Sequence, residues 1–188
     1  MPSTSTQAAD RPAAHFDQLL AADDFKAAFR NHPAGVSIVT ADPGDGPVGL
    51  TATSVFSVSA NPPLLVFSLS GHSSSAPALR RAETVVVHLL GADQLDLAKT
   101  FSTSGIDRFA DAGSWTRLVT GEPVLPSANA WLRGKIVDQM DAGDSTVVAV
   151  QVLQVKVPDD QARSAGQSHP LVYHNRTWHH LGDHSALS

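Results

Sequence analysis

Apolar residues near the start of the chain follow a helical repeat. Phe25, Ala28 and Phe29 recur on one face behind Asp23 and Asp24, which suit the positive end of a helix dipole. This spacing predicts a helix over residues 23–31, and the Pro and Gly that follow at 33 and 35 end it.

The rest of the pattern is mainly of the β type. Runs of β-branched and apolar residues have strand length and are separated by turns rich in Gly, Pro, Asp and Asn. Strands are predicted at residues 36–40, 48–59, 64–69, 85–90, 130–140, 146–157, 171–173 and 178–181.

Two further short helices interrupt the strands. One is predicted over residues 73–82, with serines at the cap position and Leu79 facing the core, and one over residues 94–101. Residues 106–122 are irregular. Several of the roughly eight strands are joined by turns too short for a parallel crossover, so the sheet is mostly antiparallel. Closure into a barrel would remove its edges.

Composition adds limits to this picture. The 188 residues suit one domain, and 42% hydrophobic with 16% charged residues is ordinary for a globular protein. A net charge of −5 gives no bulk electrostatic reason to bind nucleic acid or an anionic membrane. The absence of cysteine excludes disulfides and thiolate metal sites. We expect a cytoplasmic protein with a disordered leader (1–14), one domain (15–182) and a loose tail (183–188).

Residues 44–49 match the G-x-G-x-x-G pattern of dinucleotide-binding folds. That pattern binds pyrophosphate only where it opens a helix. Here a strand-like run follows it, so a hairpin turn is the better interpretation.

A set of short segments, each weak alone, occurs in a specific order. They are Phe29-Arg30, Gly35–Thr40, Gly49–Ser59, Pro62-Pro63, Ser73–Ser75, Arg108-Phe109, Gly121–Leu125, Gly143–Ser145, Leu171–Tyr173 and Trp178–Leu181. In this order they resemble the flavin reductase family with the FMN-binding split-barrel fold. The resemblance covers residues 25–181.

The resemblance implies a fold and an activity. The expected fold is mainly β with short helices, a mostly antiparallel split β-barrel. The expected enzyme is an NAD(P)H:flavin oxidoreductase that reduces FMN or FAD with NADH or NADPH. It would be a homodimer and would supply reduced flavin to a separate monooxygenase.

The resemblance also implies site residues. Those matching the flavin ring segment are Thr51, Ala52, Thr53, Ser54, Val55, Ser57 and Val58. Those matching the phosphate segment are His72, Ser73, Ser74 and Ser75, and Arg108 and Phe109 match a loop near the cofactor. Trp178 and His179 match a nicotinamide-side pair. Ser145 stands where the family commonly has a histidine near the nicotinamide, which is a departure from the pattern.

The chemistry of these residue types is consistent with a flavin. Small hydroxyl side chains donate to a ring edge without crowding it, and serines beside free backbone N–H groups suit a phosphate. Most of the catalytic power belongs to the flavin itself, so an acid–base dyad is not required. A half-exposed strand face and a helix cap are the structural alternatives.

The histidines and Ser145 bear on two further interpretations, a metal site and an alternative function. The histidines at 169, 174, 179 and 180 lack partners at ligand spacing, so a metal site is not expected, and His88 suits a core position. Because of Ser145, a flavin-binding or oxygenase-type protein with little NAD(P)H use is the alternative function.

Overall fold

The computed structural model describes residues 20–158 and 169–187. Within these ranges the α-helices are α1 (Ala22–Arg30), α2 (Ala76–Arg81) and α3 (Leu95–Ser102). The strands are β1 (Ala34–Gly35), β2 (Ser37–Ala41), β3 (Val48–Ala52), β4 (Phe56–Ala60), β5 (Pro63–Ser70), β6 (Thr84–Leu89), β7 (Thr116–Arg117), β8 (Pro123–Val124), β9 (Ala130–Ala142), β10 (Ser145–Lys156), β11 (Leu171–His174) and β12 (Thr177–His180). Short 3₁₀ turns occupy Ala92–Gln94 and Asp183–Ser185.

The main sheet has seven strands in the order β3-β2-β6-β9-β10-β5-β4, and all its pairs are antiparallel. Its two edge strands, β3 and β4, are consecutive in the chain and are separated by residues 53–55 alone. A link this short spans roughly 14 Å at most. The sheet must therefore curl until its edges meet, which confirms the antiparallel split barrel expected from the sequence.

The single strand predicted over residues 48–59 is wrong. It is two strands, which pair with β2 and with β5 on opposite edges of the sheet. The residues between them are β-branched or small, so the β pattern continues through the break. Only the pairing of distant strands shows that the chain crosses from one edge to the other there.

The barrel interior is apolar. Val39, Phe67, Leu69, Val85 and Val87 are almost fully buried at its centre. Leu79 of α2 is also buried, as predicted. Burial of aliphatic and aromatic area on this scale is the main stabilising contribution to such a domain.

A second cluster lies beneath α3 and the small sheet β1-β11-β12. By contrast, α1 buries none of its residues, and Phe25 and Phe29 remain 56% and 58% exposed. The helix is present as predicted, but its apolar face covers no core.

The turn at residues 42–46 confirms the hairpin interpretation. The carboxylate of Asp42 accepts hydrogen bonds from the N–H groups of Gly44 (2.9 Å) and Gly46 (3.1 Å), and both glycines have positive φ. Strand β3 follows it, so no helix receives a pyrophosphate there. None of the helices in the described ranges is long and apolar enough to cross a membrane. The predicted leader lies outside those ranges.

Candidate functional site

A partly buried arginine joins the serine cluster to strand β3. Nη1 of Arg108 donates to Oγ of Ser75 at 2.8 Å and to the carbonyl of Gly49 at 3.1 Å. Oγ of Ser75 donates to the same carbonyl at 2.8 Å, and Oγ of Ser74 lies 3.5 Å from Nη1. Three of the segments singled out in the sequence therefore meet at one point.

This arginine has neutral partners only. Its other nitrogens donate to the carbonyl of Thr103 at 3.2 and 2.9 Å. No carboxylate of the described residues pairs with it, not even that of the adjacent Asp107. Asp107 instead accepts a hydrogen bond from the N–H of Phe109. Burial lowers the pKa of Arg108, since it disfavours the charged form, and the hydrogen bonds around it come from neutral groups.

The neighbouring arginines do not reinforce that charge. Arg80 pairs with Asp141 at 2.9 Å and Arg81 pairs with Asp45. Both salt bridges are exposed, and each arginine is thereby paired with a carboxylate. Arg108, which contacts Ser74 and Ser75, is therefore better placed than Arg80 or Arg81 to receive an anion at the serine cluster.

The serines do not cap α2. Ser75 precedes the helix but makes no side-chain cap hydrogen bond, because its hydroxyl is bound to Gly49. The helix is also shorter than predicted, beginning at Ala76. Ser74 and His72 are exposed and Ser73 is half-buried, whereas Ser75 is buried, so Ser74 is the exposed serine next to Arg108.

Packing beneath this point explains the glycine at 49. A Cβ on Gly49 would lie 2.7 Å from the ring of Phe101, which is too close. Phe101 packs edge-to-face on Phe109 with ring centroids 5.2 Å apart. Phe109 is accordingly a buried core residue that holds its neighbour Arg108 in position.

The hydroxyl-rich segment continues from this point along β3. Oγ1 of Thr51 donates to the carbonyl of Ala98 at 2.7 Å, and Ala52 is buried. Oγ of Ser54 both donates to the carbonyl of Ser68 (3.2 Å) and accepts from its N–H (2.9 Å), which joins the edge segment to β5. Thr53 is exposed and Val55 half-buried, so these two side chains are open to a ligand.

A cleft adjoins this segment. The α1 cleft, as we call it, has a volume of about 840 Å³ and lies between α1, residues 53–56 and the β11–β12 turn. That size is within the range of small-molecule sites. Ser57 and Val58 continue past it on β4 and are exposed.

The remaining predicted residues lie in two places. Ser145 begins β10 next to Asp144, whose carboxylate is 3.4 Å from Nε2 of His72. Ser145 thus lies near the exposed end of the serine cluster. Trp178 packs on Tyr173 with centroids 4.7 Å apart, and His179 is exposed on β12. Neither Trp178 nor His179 lines the α1 cleft.

Sequence reasoning missed the cations of the α1 cleft, which are Lys26, Arg30 and Arg176. Arg30 belongs to the Phe29-Arg30 segment and Arg176 to the turn at 174–176, which the sequence does show. No local pattern indicates that these two segments, far apart in the chain, lie next to each other. The described residues contain no group of three or more His, Asp or Glu able to hold a metal. His88 is fully buried between the carbonyl of Ile38 and the N–H of Leu125, as a core histidine.

Residues 29–182 match the family model described as the flavin reductase like domain. The chain belongs to the flavin reductase family. Its fold, with an antiparallel curled sheet and few short helices, agrees with that membership.

Similar proteins support the same conclusion. The NADH:FMN oxidoreductase of Rhodococcus erythropolis is 47% identical over 155 residues, covering 82% of this chain and 79% of that protein. The reductase component of 4-nitrophenol 4-monooxygenase/4-nitrocatechol 2-monooxygenase from Rhodococcus opacus is 33% identical, with coverage of 83% and 81%. Among solved structures, a flavin reductase domain protein from Arthrobacter sp. FB24 is 35% identical, with a TM-score of 0.77 and coverage of 85% and 95%.

Proposed function

We propose that this protein is an NADH-dependent FMN reductase that supplies reduced flavin to a separate monooxygenase. Flavin reduction follows from the family. FMN and NADH are preferred over FAD and NADPH because relatives up to 47% identical are named as NADH:FMN oxidoreductases. A monooxygenase partner is proposed from the relative that is a monooxygenase reductase component.

The observation that carries the flavin site is the position of Arg108, which contacts the serine cluster and has no carboxylate partner among the described residues. A phosphate placed there would accept hydrogen bonds from Arg108 and from the hydroxyls of Ser73 and Ser74. Charge-assisted contacts of this kind are the usual way in which proteins hold phosphate groups.

The ring would then lie along β3. At the usual rise of a strand, Gly49 and Ala52 are about 10 Å apart. Thr53 and Val55 follow Ala52, so the extended chain that joins the flavin ring to its phosphate would run from them to Arg108. A flavin bound in this way supplies the hydride acceptor. The residues of this chain bind the phosphate, flank the ring with small side chains and leave one face open to the nicotinamide.

A homodimer is part of the proposal. Leu153 and Val155 are 54% and 55% exposed on β10, beyond the point where its pairing with β5 ends at Gln151. Val58 on the edge strand β4 is similarly exposed. Exposed apolar side chains at an unpaired strand end favour association with a second copy. A cytoplasmic location remains an expectation from the sequence.

Steady-state oxidation of NADH and of NADPH, each with FMN, FAD and riboflavin, tests this function. We expect the highest kcat/KM for NADH with FMN. If no pair turns over above the uncatalysed rate, the reductase assignment is wrong. Flavin binding without turnover would instead support the alternative of a flavin-binding protein with little NAD(P)H use. That alternative was considered because Ser145 stands where the family commonly has a histidine.

A further inference from the structure

We propose that Trp115 is a positioning residue, which holds the loop that carries Arg108 so that the guanidinium stays against the serine cluster. The inference rests on the proposed function, because it concerns the arginine to which that function assigns the flavin phosphate. Trp115 acts through Phe109, the neighbour of Arg108. Its loss should therefore weaken the binding of flavins that carry a phosphate and not of those that lack one.

The loop that carries Arg108 has neither helix nor strand. It comprises residues 103–115, between the end of α3 at Ser102 and the start of β7 at Thr116. Most of its residues are exposed, whereas Arg108 is half-buried and Phe109 is buried. A loop with few buried residues opens at a low free energy unless side-chain contacts fix it. The position of Arg108 therefore depends on the contacts that this loop makes.

The indole of Trp115 joins the two ends of this loop. Its Nε1 donates to the carbonyl of Phe109 at 3.0 Å, and the two rings pack edge-to-face with centroids 5.2 Å apart. The N–H of a tryptophan usually finds a partner when it is buried, and here the partner is the loop backbone itself. One side chain thus fixes both the backbone and the ring of the residue that follows Arg108.

Phe109 connects this contact to the core. It packs edge-to-face on Phe101 of α3, and a Cβ on Gly49 would lie 2.7 Å from the ring of Phe101. The carbonyl of Gly49 is the one to which Arg108 donates. The three rings therefore connect Trp115 to the strand against which the guanidinium lies. Edge-to-face contacts of this kind stabilise a structure beyond the area that they bury.

A second contact holds the indole in place. The guanidinium carbon of Arg117 lies 5.6 Å from the centroid of the Trp115 ring, within the range of a cation–π interaction. Arg117 also pairs with Asp42 at 2.7 Å and donates to the carbonyl of Gly121. These bonds anchor the arginine to the turn at residues 42–46. Trp115 is thus held by contacts with both Phe109 and Arg117.

The experiment compares two flavins that differ in the phosphate. Dissociation constants for FMN and riboflavin are measured by fluorescence quenching in the wild type and in Trp115→Phe, which keeps an aromatic ring but removes the indole N–H. Trp131→Phe is the matched control, because it makes the same change at a buried tryptophan outside the loop, in a cluster with Val86 and Val124. Both constants are also measured for Arg108→Gln and for the double variant with Trp115→Phe.

We expect the dissociation constant for FMN to rise roughly fivefold in Trp115→Phe, as loss of one neutral hydrogen bond predicts, and that for riboflavin to change little. Trp131→Phe should leave the ratio of the two constants unchanged, even where it lowers the unfolding temperature. In the Arg108→Gln background, Trp115→Phe should have no further effect on FMN, because the cation that it positions is absent.

A second measurement does not depend on flavin binding. Phenylglyoxal modifies arginine side chains, and mass spectrometry of the resulting peptides gives the rate of modification at Arg108. Release of the loop in Trp115→Phe should increase this rate several-fold relative to the rate at Arg80, which is exposed and lies outside the loop.

The proposal is overturned if Trp115→Phe keeps the wild-type ratio of the FMN and riboflavin constants, or if it weakens both flavins equally. An effect on FMN that persists in the Arg108→Gln background overturns it as well. If the wild-type protein binds no flavin, the proposed function fails, and the modification rate alone decides the role of Trp115. An increased rate at Arg108 then supports that role, and an unchanged rate refutes it.

Discussion

At the residue scale, Arg108 is the side chain on which the flavin site depends. Arg108→Gln should raise the dissociation constant for FMN roughly tenfold, because it removes one charged hydrogen bond to the phosphate. Riboflavin has no phosphate, so its affinity should change little. Fluorescence quenching by each flavin measures both constants.

Arg108 also bonds to the carbonyls of Gly49 and Thr103, so a structural effect must be separated from a binding effect. Arg108→Lys is the conservative variant and should recover part of the FMN affinity, since it restores the charge without the planar geometry. An equal loss of FMN and riboflavin affinity would show that Arg108 merely supports the fold.

His88 makes the stability of the protein depend on pH. Burial lowers its pKa to about 4, and the hydrogen bond to the carbonyl of Ile38 only partly opposes this effect. The unfolded value is near 6.5, so the folded state binds fewer protons. The stability that neutral His88 contributes is complete above pH 6.5 and is lost as the pH falls towards 4.

We therefore expect the free energy of unfolding to decrease by about 3 kcal/mol between pH 6.5 and 4, since a tenfold change in proton binding is worth about 1.4 kcal/mol. His88→Gln should be less stable than the wild type at pH 7 but should show a flatter profile in this range. Urea denaturation at several pH values measures both. A variant profile parallel to that of the wild type would assign the titration to another group.

At the scale of the elements, the connection at residues 53–55 determines how the barrel closes. Oγ of Ser54 satisfies both the N–H and the carbonyl of Ser68, which otherwise face the gap between β5 and the edge segment. Ser54→Ala should lower the free energy of unfolding by about 1 to 2 kcal/mol, because two hydrogen bonds are lost and backbone groups are left unpaired.

Urea denaturation of Ser54→Ala measures this loss, and Ser57→Ala on exposed β4 is the control, which should be nearly neutral. If both variants retain wild-type stability, the hydrogen bonds of Ser54 do not hold the barrel closed. The role of Ser54 as a ring-edge contact stays a prediction. A loss of flavin affinity at unchanged stability would support it.

The elements also show where sequence reasoning succeeds. Periodicity predicted α1, α3 and the long β9–β10 hairpin to within a few residues, because these features depend on local spacing. It failed at residues 48–59, where the break between β3 and β4 is set by pairing with distant strands. It placed the serines at a helix cap, whereas Ser75 is bound by a carbonyl 26 positions away in the sequence.

At the scale of the whole molecule, the candidate site was predictable only as separate pieces. The order of the short segments, which include Ser74 and Arg108, identified the family. Their meeting at the Gly49 carbonyl depends on the curl of the sheet, and the α1 cleft depends on contact between residues 143 positions apart. Neither arrangement has a local signature in the chain.

The exposed apolar end of β10 favours a dimer, and we expect one substitution there to dissociate it. Leu153→Lys places a charge in the apolar end of β10, and a two-fold interface contains each residue twice. Burial of one leucine contributes about 1.5 to 3 kcal/mol. The doubled loss should raise the dimer dissociation constant at least a hundredfold. Light scattering after gel filtration, over a range of protein concentrations, measures this change.

Val119→Lys is the matched control, since Val119 is fully exposed in the loop between β7 and β8 and its substitution should leave the dimer unchanged. A wild-type protein that is monomeric at every concentration would contradict the dimer. A dimer that persists in Leu153→Lys would place the interface on another surface. In that case the exposed end of β10 would need a different explanation, because an unpaired apolar sheet edge is a site of uncontrolled association unless something covers it.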